Sequence, residues 1–421
     1  MLKRFVPLYA LLAFLLFGCQ LLSQPASSTV PPVVSTGVAG TLSAVRSGTP
    51  LATAVAAQTQ IPSVSSIPPT SPTPLPPTPT PTQTVTPTPN YPPQGYGPAN
   101  FPSNVDPLTG LAVGNPALLA RRPLAIKVSN LPRDNRPQWG LSLADLVFEY
   151  YTEEGTTRFI GLWLGNDASR VGPIRSARFF DIYVVRGYKA VFAFGYAYVA
   201  EMDRLLASEF ANRLVVEGAG TPLTRYNPSG SNDLVVNTAD LSAYITRQGV
   251  PNGPQNLNGM FFNLTPSPGG VTVNHVFVRY SSAIYNRWDY DPTSGRYLRF
   301  SDTADNTTGG IQNEQYAQLT DRLTGQPIAC DNLVVIYVNH ELYSPGIYDI
   351  LLTGQGVGYA FRDGQAYVVR WQRNYSDVVS LSNPDGTPYA MKPGTTWFEV
   401  IGVNSSLQQT TQGWRFTHKM P

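Results

Sequence analysis

Histidine is nearly absent from this 421-residue chain: His275, His340 and His418 are the only three, all in the second half and none at metal-ligand spacing. A three-ligand zinc centre has nothing to build from, so metal-dependent hydrolysis is not expected and neither a metal nor another cofactor is assigned. Cysteine is scarcer still, with two. Cys330, before the strand-like "DNLVVIY", has no nearby histidine or cation to depress its pKa and reads as a buried structural thiol. Charge is sparse, at 13% of residues with a net of +2, which gives no electrostatic case for nucleic acid or for direct binding to anionic lipid. Gly-x-Gly-x-x-Gly, a phosphate-binding loop and Gly-x-Ser-x-Gly are all missing, which removes the usual signals for nucleotide cofactors and for a serine-hydrolase elbow. After the N-terminus no apolar run is long enough to cross a bilayer.

What is present begins with an export signal over residues 1–18. Lys3 and Arg4 precede an apolar run from Phe5 to Phe17, and small Gly18 stands before Cys19. "LFGC" matches a bacterial lipobox, so Cys19 is the expected lipid attachment site, leaving Cys330 without an intrachain partner. Acyl chains supply about 0.8 kcal/mol per buried methylene, enough for two or three to hold a soluble domain at a membrane. The expected location is therefore extracytoplasmic, with the membrane as a partner through the anchor. Residues 19–100 read as a disordered Pro/Thr/Ser-rich stalk: Arg46 is the only charge in 20–100, and 62–93 hold thirteen prolines. Such a tract favours polyproline II, at about 3.1 Å per residue.

The remainder predicts an α+β fold in two domains. The first, 104–265, is a mixed α/β domain, with strands over 122–130, 144–151 and 156–165. A helix follows Gly172-Pro173 with Ser176 as N-cap, then a strand "AVFAFG" and a helix over 200–211. In 144–151, Leu146, Phe148 and Tyr150 alternate with Asp145, Val147 and Glu149, the pattern of a half-buried strand. The second domain, 270–421, is smaller and mainly β, a sandwich or barrel-like sheet. Asp363-Gly364 marks a two-residue hairpin turn within it.

Residues 121–190 concentrate charge, with eleven Lys/Arg and seven Asp/Glu. "VGPIRSAR" (171–178) places Arg175 and Arg178 where a helix begins, against its dipole, at a cost of about 0.3–1 kcal/mol each. An anion near that end removes the conflict. It is either a ligand or the protein's own Glu153, Glu154 or Asp181. Glu153, Glu154, Arg158, Arg175, Ser176 and Arg178 form the candidate binding site; no catalytic residue is assigned.

"DPLTGL" (106–111), "RPQWGLSLADLVFE" (136–149), "EEGTTRF" (153–159) and "GPIRSAR" (172–178), in order, resemble the YerB-like lipoprotein family, domain of unknown function 3048. "GVGYAFRDGQAYVVRWQR" and "MKPGTTWFEVIG" resemble its second domain, so the resemblance covers nearly all of 104–421. It implies an exported, lipid-anchored, two-domain protein with no settled activity. The family pattern favours Glu-Gly-Gly where Glu153-Glu154-Gly155 stands. It carries histidines where Phe194-Gly195-Tyr196-Ala197 and Gly230-Ser231-Asn232 stand, so chemistry resting on those histidines is not expected.

The expected function is a non-enzymatic envelope binding or scaffolding protein that holds a cell-wall glycan, a polyanion or an envelope protein. The alternative is a glycosidase-like wall hydrolase using two of Glu149, Glu153 and Glu154 as acid and base near Arg158. Trp139, Trp163, Trp288 and Trp371 are candidates for stacking on sugars or for core packing. The aspartates of 291–310 hint at calcium, although their spacing departs from the EF-hand rule and a polar surface loop is the simpler reading.

Overall fold

The structure, a computed structural model, describes residues 91–230 and 232–421. The export signal, Cys19 and the stalk up to residue 90 lie outside the described residues. Strand β1 (Leu124–Ser129) pairs antiparallel with β3 (Thr157–Trp163), and β3 pairs antiparallel with β2 (Leu146–Tyr151). On its other side β1 pairs in parallel with β4 (Val191–Phe194), which pairs in parallel with β5 (Leu214–Val216). Helices α1 (Phe179–Gly187), α2 (Val199–Leu206) and α3 (Thr238–Arg247) belong to the same stretch of chain. After α3 the regular elements are strands, apart from one 3-10 turn at Ile311–Asn313.

The two halves expected from sequence are continuous through one eleven-stranded sheet. Beyond β2 it runs through Thr396–Gly402, Asn332–Val338, Gly354–Arg362, Gln365–Arg373 and Ser380–Ser382. The join is parallel: β2 lies beside Thr396–Gly402 with Glu149 opposite Glu399, and Thr396–Gly402 lies parallel to Asn332–Val338. Asp363 and Gly364, at φ 52° and 71°, form the turn of the predicted hairpin, a left-handed pair that Asp-Gly accepts readily.

A second sheet is built on Arg296–Asp302, Tyr285–Asp291, His275–Arg279 and Gly413–Thr417, with shorter strands at its edges. It packs on one face of the large sheet, where Trp163, Trp288, Trp397, Val276 and Phe416 share a core with Leu241 and Ile245 of α3. On the other face Phe148, Phe180 and Phe398 pack with α1, and the Phe148 and Phe398 rings stack at 4.5 Å. Each such ring is worth roughly 1.5–3 kcal/mol of burial.

Covering both faces corrects the half-buried reading of 144–151. Val147 and Glu149, assigned to solvent from their alternation, point into the second core, and all of β2 except Tyr151 is buried. The folded body also begins earlier than expected. Tyr96 and Phe262 exchange backbone hydrogen bonds at 2.9 Å each, so the segment after residue 91 belongs to the folded body.

Helix ends shift as well. The helix predicted over 200–211 spans only Val199–Leu206. The helix predicted to start at Ser176 starts at Phe179, with Arg178 as its N-cap. The cause is Asp181: its Oδ2 accepts the Arg178 N–H at 2.7 Å, and the Asp181 N–H donates to the Arg178 carbonyl at 3.0 Å. A carboxylate in the first turn also complements the helix dipole.

Candidate functional site

β1, β2, β4, Asn332–Val338 and Thr396–Gly402 all run in one direction, so their carboxyl ends share one edge of the sheet. In sheets with parallel strands that edge is where ligands bind, because loops and helix starts gather there. Here it collects the β2–β3 turn with Glu153, the start of β3 with Arg158, the approach to α1 with Arg175 and Arg178, and the start of α2. The hairpin His340–Ser344/Ile347–Ile350 closes one side.

Glu153 is the hub of the predicted set. Its Oε2 accepts from Arg178 Nε at 2.6 Å, and its Oε1 accepts from Arg158 Nη2 at 2.8 Å and also from Arg178 Nη2. Burial pulls the Glu153 pKa upward, but the two guanidinium groups outweigh it and hold the carboxyl below its ordinary range. Burial, with Arg178 close by, lowers Arg158 to about 10. Ser176 takes part through its backbone, as its carbonyl accepts from Arg158 Nη1 at 2.9 Å.

Arg175 stands apart: Nη1 donates to Asn232 Oδ1 and Nη2 to the Leu131 carbonyl at 3.4 Å. It has no carboxylate at ion-pair distance among the described residues. Glu154 is exposed, at φ 51° in the left-handed region, and turns away from the arginines. Cys19 lies outside the described residues. The anion at the start of α1 is thus the protein's own Asp181, with Glu153 on the Arg178 side chain.

Beneath this lies a layer that sequence reading missed. Lys127 is fully buried, bonded to Asp181 Oδ1 at 3.1 Å and to the Tyr150 hydroxyl, which itself donates to Asp181 Oδ1 at 2.6 Å. Burial depresses Lys127 to about 7 against the opposing pull of Asp181. Glu201, at the start of α2, was missed too. Its Oε2 accepts the Tyr198 N–H at 3.2 Å and stands 3.6 Å from Arg178 Nη1. Burial pushes Glu201 up to about 6, with Arg178 resisting. The available sequence signals were a strand lysine between apolar neighbours and a glutamate three residues after Tyr198, both easily read as ordinary.

Glu153, Arg178 and Glu201 line a cleft of about 190 Å³ together with Tyr151, Phe180, Tyr198, Ile347 and Tyr348. Among these, Tyr198 is 54% exposed. Glu149, one of the carboxylates weighed for hydrolysis, is not there. It is buried between the sheets, 2.7 Å from Arg299 Nη2, beside Glu399.

The four tryptophans weighed for sugar stacking are all buried, Trp139 the least at 8% exposure; Trp163 and Trp288 lie in the core between the sheets and Trp371 in the core on the other face of the large sheet. Nor do the aspartates of 291–310 converge on a calcium site. Asp302 bonds Arg133 and Arg136, Asp305 bonds Arg133, and Asp291 turns its own following loop. Among the described residues, His, Cys, Asp and Glu form no group of three or more at metal-binding distance, and no helix is long and apolar enough to cross a membrane.

Comparison with known proteins gives a consistent relationship. Residues 108–251 match the N-terminal domain, and residues 276–398 the C-terminal domain, of the family described as protein of unknown function DUF3048. A Bacillus subtilis (strain 168) protein named "Putative lipoprotein YerB" is 28% identical over 306 residues, covering 70% of this chain and 85% of the relative. The crystal structure of YerB from Bacillus subtilis superposes with a TM-score of 0.60 at 25% identity, covering 70% of this chain and 96% of that one.

Proposed function

Because the chain belongs to the DUF3048 family, with a relative named as a lipoprotein, we propose that it is a lipid-anchored extracytoplasmic binding protein of the cell envelope. Its ligand site is the tyrosine-walled cleft at the carboxyl edge, and its ligand is one sugar unit of a wall glycan. The observation that carries this reading is the pairing of rings with charged groups: Tyr151, Tyr198 and Tyr348 line the same cleft as Glu153, Arg178 and Glu201. Sugars offer apolar C–H faces to aromatic rings and hydroxyls to fixed carboxylate and guanidinium groups, and the cleft has room for about one ring. Arg158 and Arg178 hold Glu153 in one orientation, so these charged groups are organised before a ligand arrives.

One observation favours the hydrolase alternative. Glu153 is held low and Glu201 is raised to about 6, the split expected of a base and an acid. Against it, the Glu153 oxygens already accept three guanidinium N–H groups, which leaves little basicity for activating water. Binding is therefore the reading put forward.

The test is thermal melting against a panel of wall glycan fragments. A ligand at a hundred times its Kd adds about 2.7 kcal/mol. Tyr198→Ala, a change at an exposed side chain, should abolish the shift while leaving the ligand-free midpoint in place. If no fragment shifts the wild-type protein, the sugar reading is wrong.

A further inference from the structure

Deepening that reading, on which it rests, we infer that the sugar bound in the cleft is an acidic one, whose carboxylate sits between Arg178 and Glu201 and draws a proton onto Glu201 as it binds.

Charge and unfilled hydrogen-bonding capacity at the carboxyl edge point to an acidic ligand. Four cations meet at the carboxyl edge: Lys127, Arg158, Arg175 and Arg178. Three carboxylates face them: Glu153, Asp181 and Glu201. Two of the three are filled. Glu153 takes three guanidinium N–H bonds, and Asp181 takes Lys127, Tyr150 and the Arg178 backbone.

Glu201 is only partly used. Its Oε2 has the Tyr198 N–H and lies 3.6 Å from Arg178 Nη1, beyond hydrogen-bond reach, and its Oε1 has no hydrogen-bond partner among the described residues. With every group charged the cluster carries one cation in excess; Lys127, lowered to about 7, supplies its charge at pH 5 and largely loses it by pH 7.5. With Glu201 protonated and Lys127 charged the cluster carries two.

The charged groups facing Glu201 are Arg178 and Asp181 from α1 and Glu153 from the β2–β3 turn. The hairpin side of the cleft presents Ile347, Tyr348 and Ile350, which carry no charge there. A neutral sugar would leave the excess positive charge unanswered. A ligand carboxylate answers it by accepting from Arg178 Nη1 on one side and from a protonated Glu201 on the other. A charge-assisted pair of this kind, enclosed by tyrosine rings, is stronger than either bond in water. No covalent bond changes: one proton passes from solvent to Glu201, and it returns when the ligand leaves.

The experiment uses the full chain in detergent micelles and two disaccharides that differ by one 3-O-lactyl group, which bears the carboxylate. N-acetylglucosaminyl-N-acetylmuramic acid carries it and di-N-acetylchitobiose lacks it. Titration calorimetry at pH 5 and pH 7.5 should show the acidic sugar binding at least about tenfold more tightly at pH 5, as proton linkage to a group raised to about 6 requires. The neutral sugar should bind weakly and alike at both.

Glu201→Gln keeps the side chain's shape and cannot titrate, so it should remove most of the pH dependence while still binding, leaving only the weaker part contributed by Lys127, which burial lowers to about 7. A merely structural role for Glu201 would lower affinity equally at both pH values. If both disaccharides bind alike at both pH values, the acidic-sugar inference fails and the sugar site stands. If neither binds at any pH, the sugar reading itself fails. Displacement of the acidic sugar by millimolar inorganic phosphate would also overturn the inference, by showing a site that reads charge alone.

Discussion

Glu399→Gln should make this protein's stability less sensitive to a rise in pH from about 4.5 to about 8, and the size of the effect follows from what surrounds the side chain. Glu399 and Glu149 are neighbours on paired strands, both fully buried, with the Arg299 guanidinium 3.2 Å from one and 2.7 Å from the other. One cation cannot balance two carboxylates in that space. Burial first, then the adjacent Glu149 charge, pushes Glu399 up to about 8.

The neutral form has a place in the bonding. Trp288 Nε1 donates to Oε1 at 2.8 Å. A proton on Oε2 donates to the Tyr280 oxygen 3.0 Å away, whose own hydroxyl donates to the Glu149 carbonyl at 3.1 Å. A group whose folded pKa lies above its unfolded value of 4.5 contributes fully below that value. The contribution is lost as pH rises toward about 8.

Within that window the wild type should lose up to about tenfold in its folding constant per pH unit relative to the Gln variant, a few kcal/mol in all as an upper bound. Urea unfolding of both proteins at pH 5, 7 and 9 measures it. If the two curves fall in parallel across this range, Glu399 is not the titrating group and the account of the buried pair is wrong.

Two further changes test the layer beneath the cleft and the turn above it. Asp181→Ala leaves Lys127 buried without its counter-charge and removes the α1 cap, so stability should drop by about 3–5 kcal/mol in urea unfolding; a loss under about 1 kcal/mol would show that the buried lysine is satisfied otherwise. Glu154→Gly relieves a non-glycine residue at φ 51°, where the left-handed region costs about 1–2 kcal/mol, offset in part by glycine's greater freedom when unfolded. The melting temperature should therefore hold or rise slightly, and a clear fall would mean that the Glu154 side chain makes a contact of its own.

The sequence was legible where structure is local. The β2–β3 hairpin, the Asp363-Gly364 turn and the arginine–glutamate grouping of 153–178 all arise within short stretches whose periodicity or turn chemistry can be read directly. It was not legible where distant segments decide the outcome. Val147 and Glu149 look solvent-facing because nothing near them announces that Trp288 and Arg299 will cover them. Glu153 and Glu154 are indistinguishable by type, and only the backbone turn sends one inward and the other out. For α1 a signal existed and favoured a different start: Asp181, three residues after Arg178, marks the cap that Ser176 was given.

The parallel pairing of β2 with Thr396–Gly402 also has a consequence in time. Phe148 meets Phe398 across about 250 residues of intervening chain, and such pairings are closed late because the loop entropy must be overcome first. The N-terminal half therefore cannot finish its sheet until nearly the whole polypeptide has emerged, and until then β2 presents an open hydrogen-bonding edge able to recruit other strands. A cut near residue 268, between the segments matched by the two family domains, should yield fragments that aggregate apart and recover a common fold only when refolded together. The two domains matched by the family should then fold, in this chain, as a single unit.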